Sequence, residues 1–191
     1  MSPTKTSGGR RAPTREAILD AATHLFARRG VSTTSVDEIA SAAGTAKGSV
    51  YYNFGSKAGL VEALMEEQTT RVGEAIRVAC EGLEGDARIR AVVSTMLHEE
   101  HEHPDAARVL VSEVFRTERS WRESVATWRD AMMGPLTAGH GNTVTPADRI
   151  GAAAVIGATL TAGLEWLLFH PELDYAEVRD KLYASLGLDE G

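Results

Sequence analysis

Residues 150–164 contain no charged side chain, and Gly151, Ala152, Ala153, Ala154, Gly157, Ala158, Ala162 and Gly163 make the run small as well as apolar. A helix built from such a run is apolar on every side, so it has to be covered on every side. A bilayer could do this, but Glu165 interrupts the run, and the polar flanks leave it at the length limit for a span, where a charge is costly. The alternative is a helix packed on its own domain along one face and on a second subunit along the other. Small residues let backbones approach closely in that arrangement. The helix start is written in Thr145-Pro146-Ala147-Asp148, which combines an N-cap, Pro at the first helical position and an acid at the third. The spacing predicts a helix over 146–169, no membrane span, and a homodimer.

The same period runs through the rest of the chain. Ile18, Ala21, Ala22, Leu25 and Phe26 lie on one stripe of a helix that begins near Thr14 and stops at Gly30, behind Arg28 and Arg29. Two short helices follow. The first opens on Thr34, with Asp37 three residues on, and buries Val36, Ile39, Ala40 and Ala43. The second runs from about Ala46 to Asn53 and is broken by Gly55-Ser56. Ser56 then caps a long helix reaching about Glu81. Further helices are expected over 86–102, 105–117, 119–138 and 173–186. No stretch alternates at strand length and no repeat appears. The fold class is all-α.

Apolar residues at 43% and charged residues at 25% exclude a wholly disordered chain. A single cysteine, Cys80, cannot close an intrachain disulfide, which points to a reducing compartment. Its helical setting beside Val78 and Ala79 reads as a small buried hydrophobe. No apolar stretch follows Lys5, Arg10 and Arg11, so no signal peptide is expected and the location reads as cytoplasmic.

The net charge of −7 is divided unevenly. Residues 1–57 carry eight Lys/Arg against four Asp/Glu, whereas residues 58–191 carry twelve against twenty-three. A basic module joined to an acidic body suits a chain that meets a polyanion with one part only. The organisation expected is a disordered basic arm over 1–12, a reading module over 13–57 and a helical body over 58–191.

Residues 34–57 meet the requirements of a helix-turn-helix. Ala40 and Ala43 allow the two helices to come close, and Gly44 supplies a turn with positive φ. The second helix then presents Thr45, Lys47, Ser49, Tyr52 and Asn53, which can bond to base edges or phosphates. Lys57, at the next helix start, could hold a phosphate together with backbone N–H groups. Arg10, Arg11 and Arg15 could add sugar–phosphate or minor-groove contacts. Tyr51 and Phe54, spaced by three, are expected to pack partly inward.

These residues resemble the DNA-binding signature of TetR-family repressors. The resemblance covers residues 13–64. It rests on Ala21, Ala22, Leu25, Phe26 and Gly30 in the first helix, and on Gly44, Gly48, the aromatics ending in Phe54, Lys57 and Leu60. It implies that Thr34, Tyr51, Asn53 and Lys57 hold phosphates, that Gly48 is part of the DNA-contacting helix, and that Lys47, Ser49 and Tyr52 lie nearest base edges. Two positions depart from the family pattern. Thr45-Ala46 replaces an apolar residue followed by Ser, leaving Thr45 to take over the cap, and Asn53 stands where His or Tyr is commoner. The resemblance also implies an N-terminal helix-turn-helix domain joined by a long helix to a C-terminal ligand-binding and dimerisation domain. Dimerisation would use 146–169 and 173–186 in a four-helix arrangement.

Phe115, Trp121, Trp128, Met132, Met133 and Trp166 concentrate large, polarizable side chains in the body. Aromatics and Met between helices suit an adaptable apolar pocket. The ligand-binding set expected is Phe115, Trp121, Trp128, Met132 and Trp166. The expected function is a one-component transcriptional regulator, a repressor that binds a palindromic operator and is released by a small molecule, with no cofactor, no metal and no enzymatic activity. Two rivals differ in class. One is a metal-dependent enzyme built on His98–His103, although His98-Glu99 lacks the second His at the zinc-protease spacing. The other is an all-helical interaction protein whose reader no longer functions. No G-x-x-x-x-G-K-[ST] phosphate loop and no G-x-S-x-G elbow occurs.

Overall fold

Glycines with positive φ at Gly30, Gly44 and Gly55 punctuate the first part of the chain, and helices fill the intervals between them. The structure, a computed structural model, describes residues 11–114, 122–138 and 144–188. Nine helices and no strand occur among them: α1 (Arg11–Arg29), α2 (Val36–Ala42), α3 (Lys47–Phe54), α4 (Lys57–Ala79), α5 (Gly85–Glu102), α6 (Pro104–Val114), α7 (Arg122–Thr137), α8 (Pro146–Phe169) and α9 (Tyr175–Ser185). The chain divides into two units between Leu64 and Met65, a boundary that falls within α4 rather than at its start.

In the first unit, Ile18, Leu19, Ala22 and Phe26 of α1 are buried together with Val36, Ile39 and Ala40 of α2, Val50 of α3, and Leu60, Val61 and Leu64 of α4. Each large aliphatic side chain taken out of water contributes roughly 1.5–3 kcal/mol. The start of α2 lies one residue later than its sequence suggests. Ser35 is the N-cap, and Ser35 and Glu38 form a reciprocal capping box. Thr34 is 1% exposed, and its hydroxyl donates to the carbonyl of Gly30 at 2.9 Å, so it cannot serve as the cap.

In the second unit α8 packs on α5, α6, α7 and α9. Capping boxes start α8 at Thr145/Asp148 and α9 at Asp174/Glu177. The α8 bounds agree with expectation. The Asp174 cap sets the α9 start two residues after the expected 173. A core of Val93, Leu97, Trp166, Val178 and Leu182 joins α5, α8 and α9. Hydroxyls of Tyr175 and Tyr183 donate to the carbonyls of Ser94 and Arg90 at 2.9 and 3.0 Å, tying α9 to α5.

By length and composition α8 could cross a membrane, with a mean hydropathy of 1.6 over its most apolar stretch. Its burial is one-sided. Ala152, Ile156, Thr159, Leu160, Gly163 and Trp166 face inward. At the opposite helical phase Ile150, Ala154, Thr161 and Leu168 are exposed and Gly157 is half-buried. Only 33% of the stretch is buried within the chain, so the expectation of cover on all sides is met on one face only. Cys80 is buried, and desolvation pushes its thiol pKa up, which disfavours the reactive thiolate.

Candidate nucleic-acid interface and internal cavity

The interface is built on the α2–turn–α3 unit. Gly44 adopts φ +63°, and the N–H of Thr45 donates back to the carbonyl of Ala40 at 2.9 Å, closing the turn. A side chain at position 44 would be strained by that backbone angle alone. Val50, 1% exposed, anchors α3 inward. The outer face then carries Lys47, Gly48, Tyr51 and Tyr52, with Ser49 and Asn53 half-buried beside them. Tyr52 is 67% exposed and Tyr51 45%, so Tyr51 lies further out than the inward packing expected of it. Phe54 is half-buried, with the Arg15 guanidinium 5.4 Å from its ring centre. Thr45 does not cap α3. The N-cap is Ala46, with no side-chain cap bond.

Three side chains already have partners within the unit. Lys47 Nζ donates to Asp37 Oδ2 at 2.8 Å, and that bond holds the Lys47 pKa above its ordinary value. Both groups are solvent-exposed, so another anion can displace Asp37. Asn53 Nδ2 donates to the carbonyl of Ser49 at 2.7 Å, inside its own helix.

Lys57 is engaged more fully. Its ammonium donates to the carbonyls of Val31, Ser32 and Thr34 at 2.8, 3.3 and 3.0 Å. An ammonium has three N–H donors, and these bonds use all of them. Thr34, with its buried hydroxyl, belongs to the same α1–α2 corner. Two of the four residues expected to grip phosphate, Thr34 and Lys57, therefore hold the corner together in this structure. Lys57→Met is expected to destabilise the protein by about 1.5–3 kcal/mol, the range for hydrogen bonds to a charged group. Urea unfolding measures this. The salt dependence of DNA binding should keep its slope, and a slope shallower by one unit would restore Lys57 as a phosphate contact.

The body contains a cavity of about 30 Å³ lined by residues that include Arg71, Met96, Glu99, Glu100, Trp128, Met132 and Leu160. That is room for roughly one water, far below the roughly 300–1,000 Å³ of ligand pockets. Of the expected ligand set, Trp128 and Met132 line it. Trp166 does not: it packs in the α5–α8–α9 core, stacks on His101 with ring centres 4.7 Å apart, and donates its indole N–H to the carbonyl of Leu173 at 2.9 Å. Phe115 and Trp121 lie outside the described residues. Missed by sequence reasoning is a wider polar hollow of about 650 Å³, lined by residues that include Arg90, Ser94, Tyr175, Arg179 and Tyr183.

His98 meets Tyr175 edge-on, His101 lies flat on Trp166, and His103 lines the cavity. Among the described residues no three His, Cys, Asp or Glu side chains are grouped to hold a metal ion.

Residues 18–64 match the model of the family described as bacterial regulatory proteins, tetR family. Residues 18–64 are thus a TetR-family helix-turn-helix domain. The match runs from Ile18 within α1 to the first turns of α4, and it ends with the first unit at Leu64. Among curated relatives, the HTH-type transcriptional regulator AcrR of Shigella flexneri is 44% identical over 61 residues, covering 32% of this chain and 28% of that one. The HTH-type transcriptional repressor KstR2 of Rhodococcus jostii is 31% identical over 131 residues, covering 65% of this chain and 64% of that one. The chain thus spans less than two thirds of the length of either. Among solved structures, the fatty acid degradation regulator FadR from Bacillus halodurans aligns with a TM-score of 0.77 at 18% identity, over 92% of this chain and 95% of that one. FadR from Bacillus subtilis, in complex with stearoyl-CoA, aligns with a TM-score of 0.74 at 20% identity, over 90% and 96%. At such identities the likeness is one of fold: a TetR-family helix-turn-helix domain followed by a helical body.

Proposed function

We propose that the chain is a one-component transcriptional repressor that binds a palindromic DNA operator as a homodimer and is released by a small-molecule effector. The observation that carries the reading is α3 itself: an eight-residue helix held by Val50 behind the Gly44 turn, with Lys47, Gly48, Tyr51 and Tyr52 outward. Lys47, Ser49 and Tyr52 are assigned to base edges, and Thr45, Tyr51 and Asn53 to phosphates. One such helix reads only a few base pairs, whereas two related by a two-fold axis read half-sites about one helical turn apart. The exposed stripe of α8, with α9 beside it, is the dimer surface in this reading. The body is the effector-binding part, coupled to operator affinity by an amount typically about 1–3 kcal/mol and necessarily reciprocal. A regulator of this kind works in the cytoplasm, on chromosomal DNA. The relatives named above as transcriptional regulators support this class over an enzyme.

Selection from a random duplex library by the purified protein, followed by sequencing, tests the reading. An inverted repeat is the expected product, and Lys47→Ala combined with Tyr52→Ala should abolish its enrichment. No enrichment at low salt, from protein demonstrably folded and dimeric, would sink the repressor reading. Unchanged enrichment by the double variant would move the reading surface away from α3.

A further inference from the structure

The 30 Å³ cavity contains a chemical mismatch. Glu100 of α5 is 6% exposed, and among the described residues neither of its carboxyl oxygens has a hydrogen-bond partner. Trp128 of α7, 4% exposed, leaves its indole N–H equally unpartnered, and both side chains line the same space. A buried polar group without a partner is costly, and native proteins rarely keep one without a use. The neighbouring charges do not resolve it. The Arg71 guanidinium is engaged by Glu99 and Gln68, so its charge is already matched. Gly163 of α8 leaves Glu100 its place, since a Cβ there would overlap the carboxyl group. Apart from His103, the remaining wall is apolar, from Val72, Met96, Leu110, Met132 and Leu160 among others.

We infer that this cavity takes a small organic amine with an apolar body, its ammonium hydrogen-bonded to Glu100 and its apolar part against Trp128 and the methionines. The inference rests on the reading of the body as an effector-binding unit and names the chemistry of its ligand. An ammonium supplies the carboxylate with a charge-assisted hydrogen bond, the strong kind. The Trp128 ring offers a broad apolar face for the body of the ligand. An anionic head group would instead meet Glu99 and Glu100 together, and a neutral alkyl chain would leave the carboxyl oxygens as they are. Burial already pushes the Glu100 pKa well above the usual carboxylate range, and a cation beside it reverses that preference. The space is too small for such a ligand in the unliganded shape, so the wall has to yield. Met96 and Met132, with unbranched side chains, are the members best able to do so.

Calorimetry on the 191-residue chain with hexylamine, hexanol, hexanoate and hexanoyl-CoA, each repeated as a displacement assay on the selected operator, tests this. Hexylamine is expected to bind at least tenfold more tightly than hexanol or hexanoate and to release DNA. Glu100→Gln should bring the amine down to the level of the alcohol, while Trp128→Phe should weaken the amine and leave its preference over hexanoate. The charge series on the unaltered chain stands even where a variant fails to fold. Equal binding of amine and alcohol, or no amine binding at millimolar concentration, overturns the inference. Refusal of the amine while hexanoyl-CoA binds and releases DNA overturns the cation assignment and keeps the effector reading. Amine binding that depends on Glu100 but leaves operator affinity unchanged keeps the site and overturns the effector reading.

Discussion

An arginine in place of Ala154 is expected to leave the chain monomeric and unable to hold a palindromic operator. The reasoning starts from the phase of α8. Ile150, Ala154, Gly157, Thr161 and Leu168 recur at steps of three, four and seven, opposite the stripe that Ile156, Thr159 and Gly163 bury in the body. Ile150 at 72% and Leu168 at 48% exposure are large apolar side chains left uncovered among the described residues. The residues between them are small, which suits close approach of a second helix. Around a two-fold axis a single Ala154→Arg places two guanidinium groups in one apolar contact. A buried charge without a partner costs on the order of 3–5 kcal/mol, enough to weaken a dimer by a factor of hundreds or more. Sedimentation should report the monomer and mobility shifts the lost operator. Ala154 is exposed in the chain, so helix content and unfolding of the monomer should change little. A dimer that persists in this variant would place the subunit contact away from the α8 stripe.

Stability of the unliganded protein is expected to fall as pH rises above the ordinary carboxylate range, and Glu100→Gln is expected to flatten that fall. Desolvation raises the native Glu100 pKa well above the ordinary glutamate value of 4.5 that an unfolded chain would show. Between the two values the folded state holds the proton and the unfolded state has released it. The native contribution is therefore fully present below the unfolded value and is lost as pH rises through the native one. Charged groups near Glu100 include Arg71 of α4, paired with Glu99 of α5, and His103 after α5, also a cavity-lining residue. These neighbours are the same in both proteins, so the informative quantity is the difference between wild type and Glu100→Gln. The variant keeps shape and a neutral polar end. It should match the wild type at acid pH and exceed it near pH 8 by roughly 1–3 kcal/mol, the usual cost of a buried polar group left unpaired. Urea midpoints across the range measure this. Parallel curves would mean that Glu100 ionises freely in the folded state.

Much of the architecture was legible because it is local. Gly44 announces its turn, Pro146 and Asp148 announce the start of α8, and the spacing of Ile18, Ala22 and Phe26 announces the face of α1. The capping box slipped by one residue because Thr34 and Ser35 are chemically alike, and only the burial of Thr34 decides between them. The α8 run told of cover on all sides, while the structure of one chain meets half of that requirement. What remained illegible depends on residues distant in sequence. The carbonyls of Val31, Ser32 and Thr34 that hold Lys57 lie more than twenty residues before it. Trp166 reads as a pocket residue by type, yet its ring is taken by His101 and its N–H by Leu173. Glu100 sits in a charged stretch, His98 to His103, that reads as a solvated helix face, and helical phase alone did not single it out as buried.

Lys57 also has a mechanical meaning. A cation clamped by three carbonyls acts as a rivet between the first turn of α4 and the corner that launches α2. That turn cannot pivot without dragging the corner along. A torque on the start of α4 would reach α2 as rigid rotation instead of being absorbed as a bend, and the small three-helix block would travel as one piece.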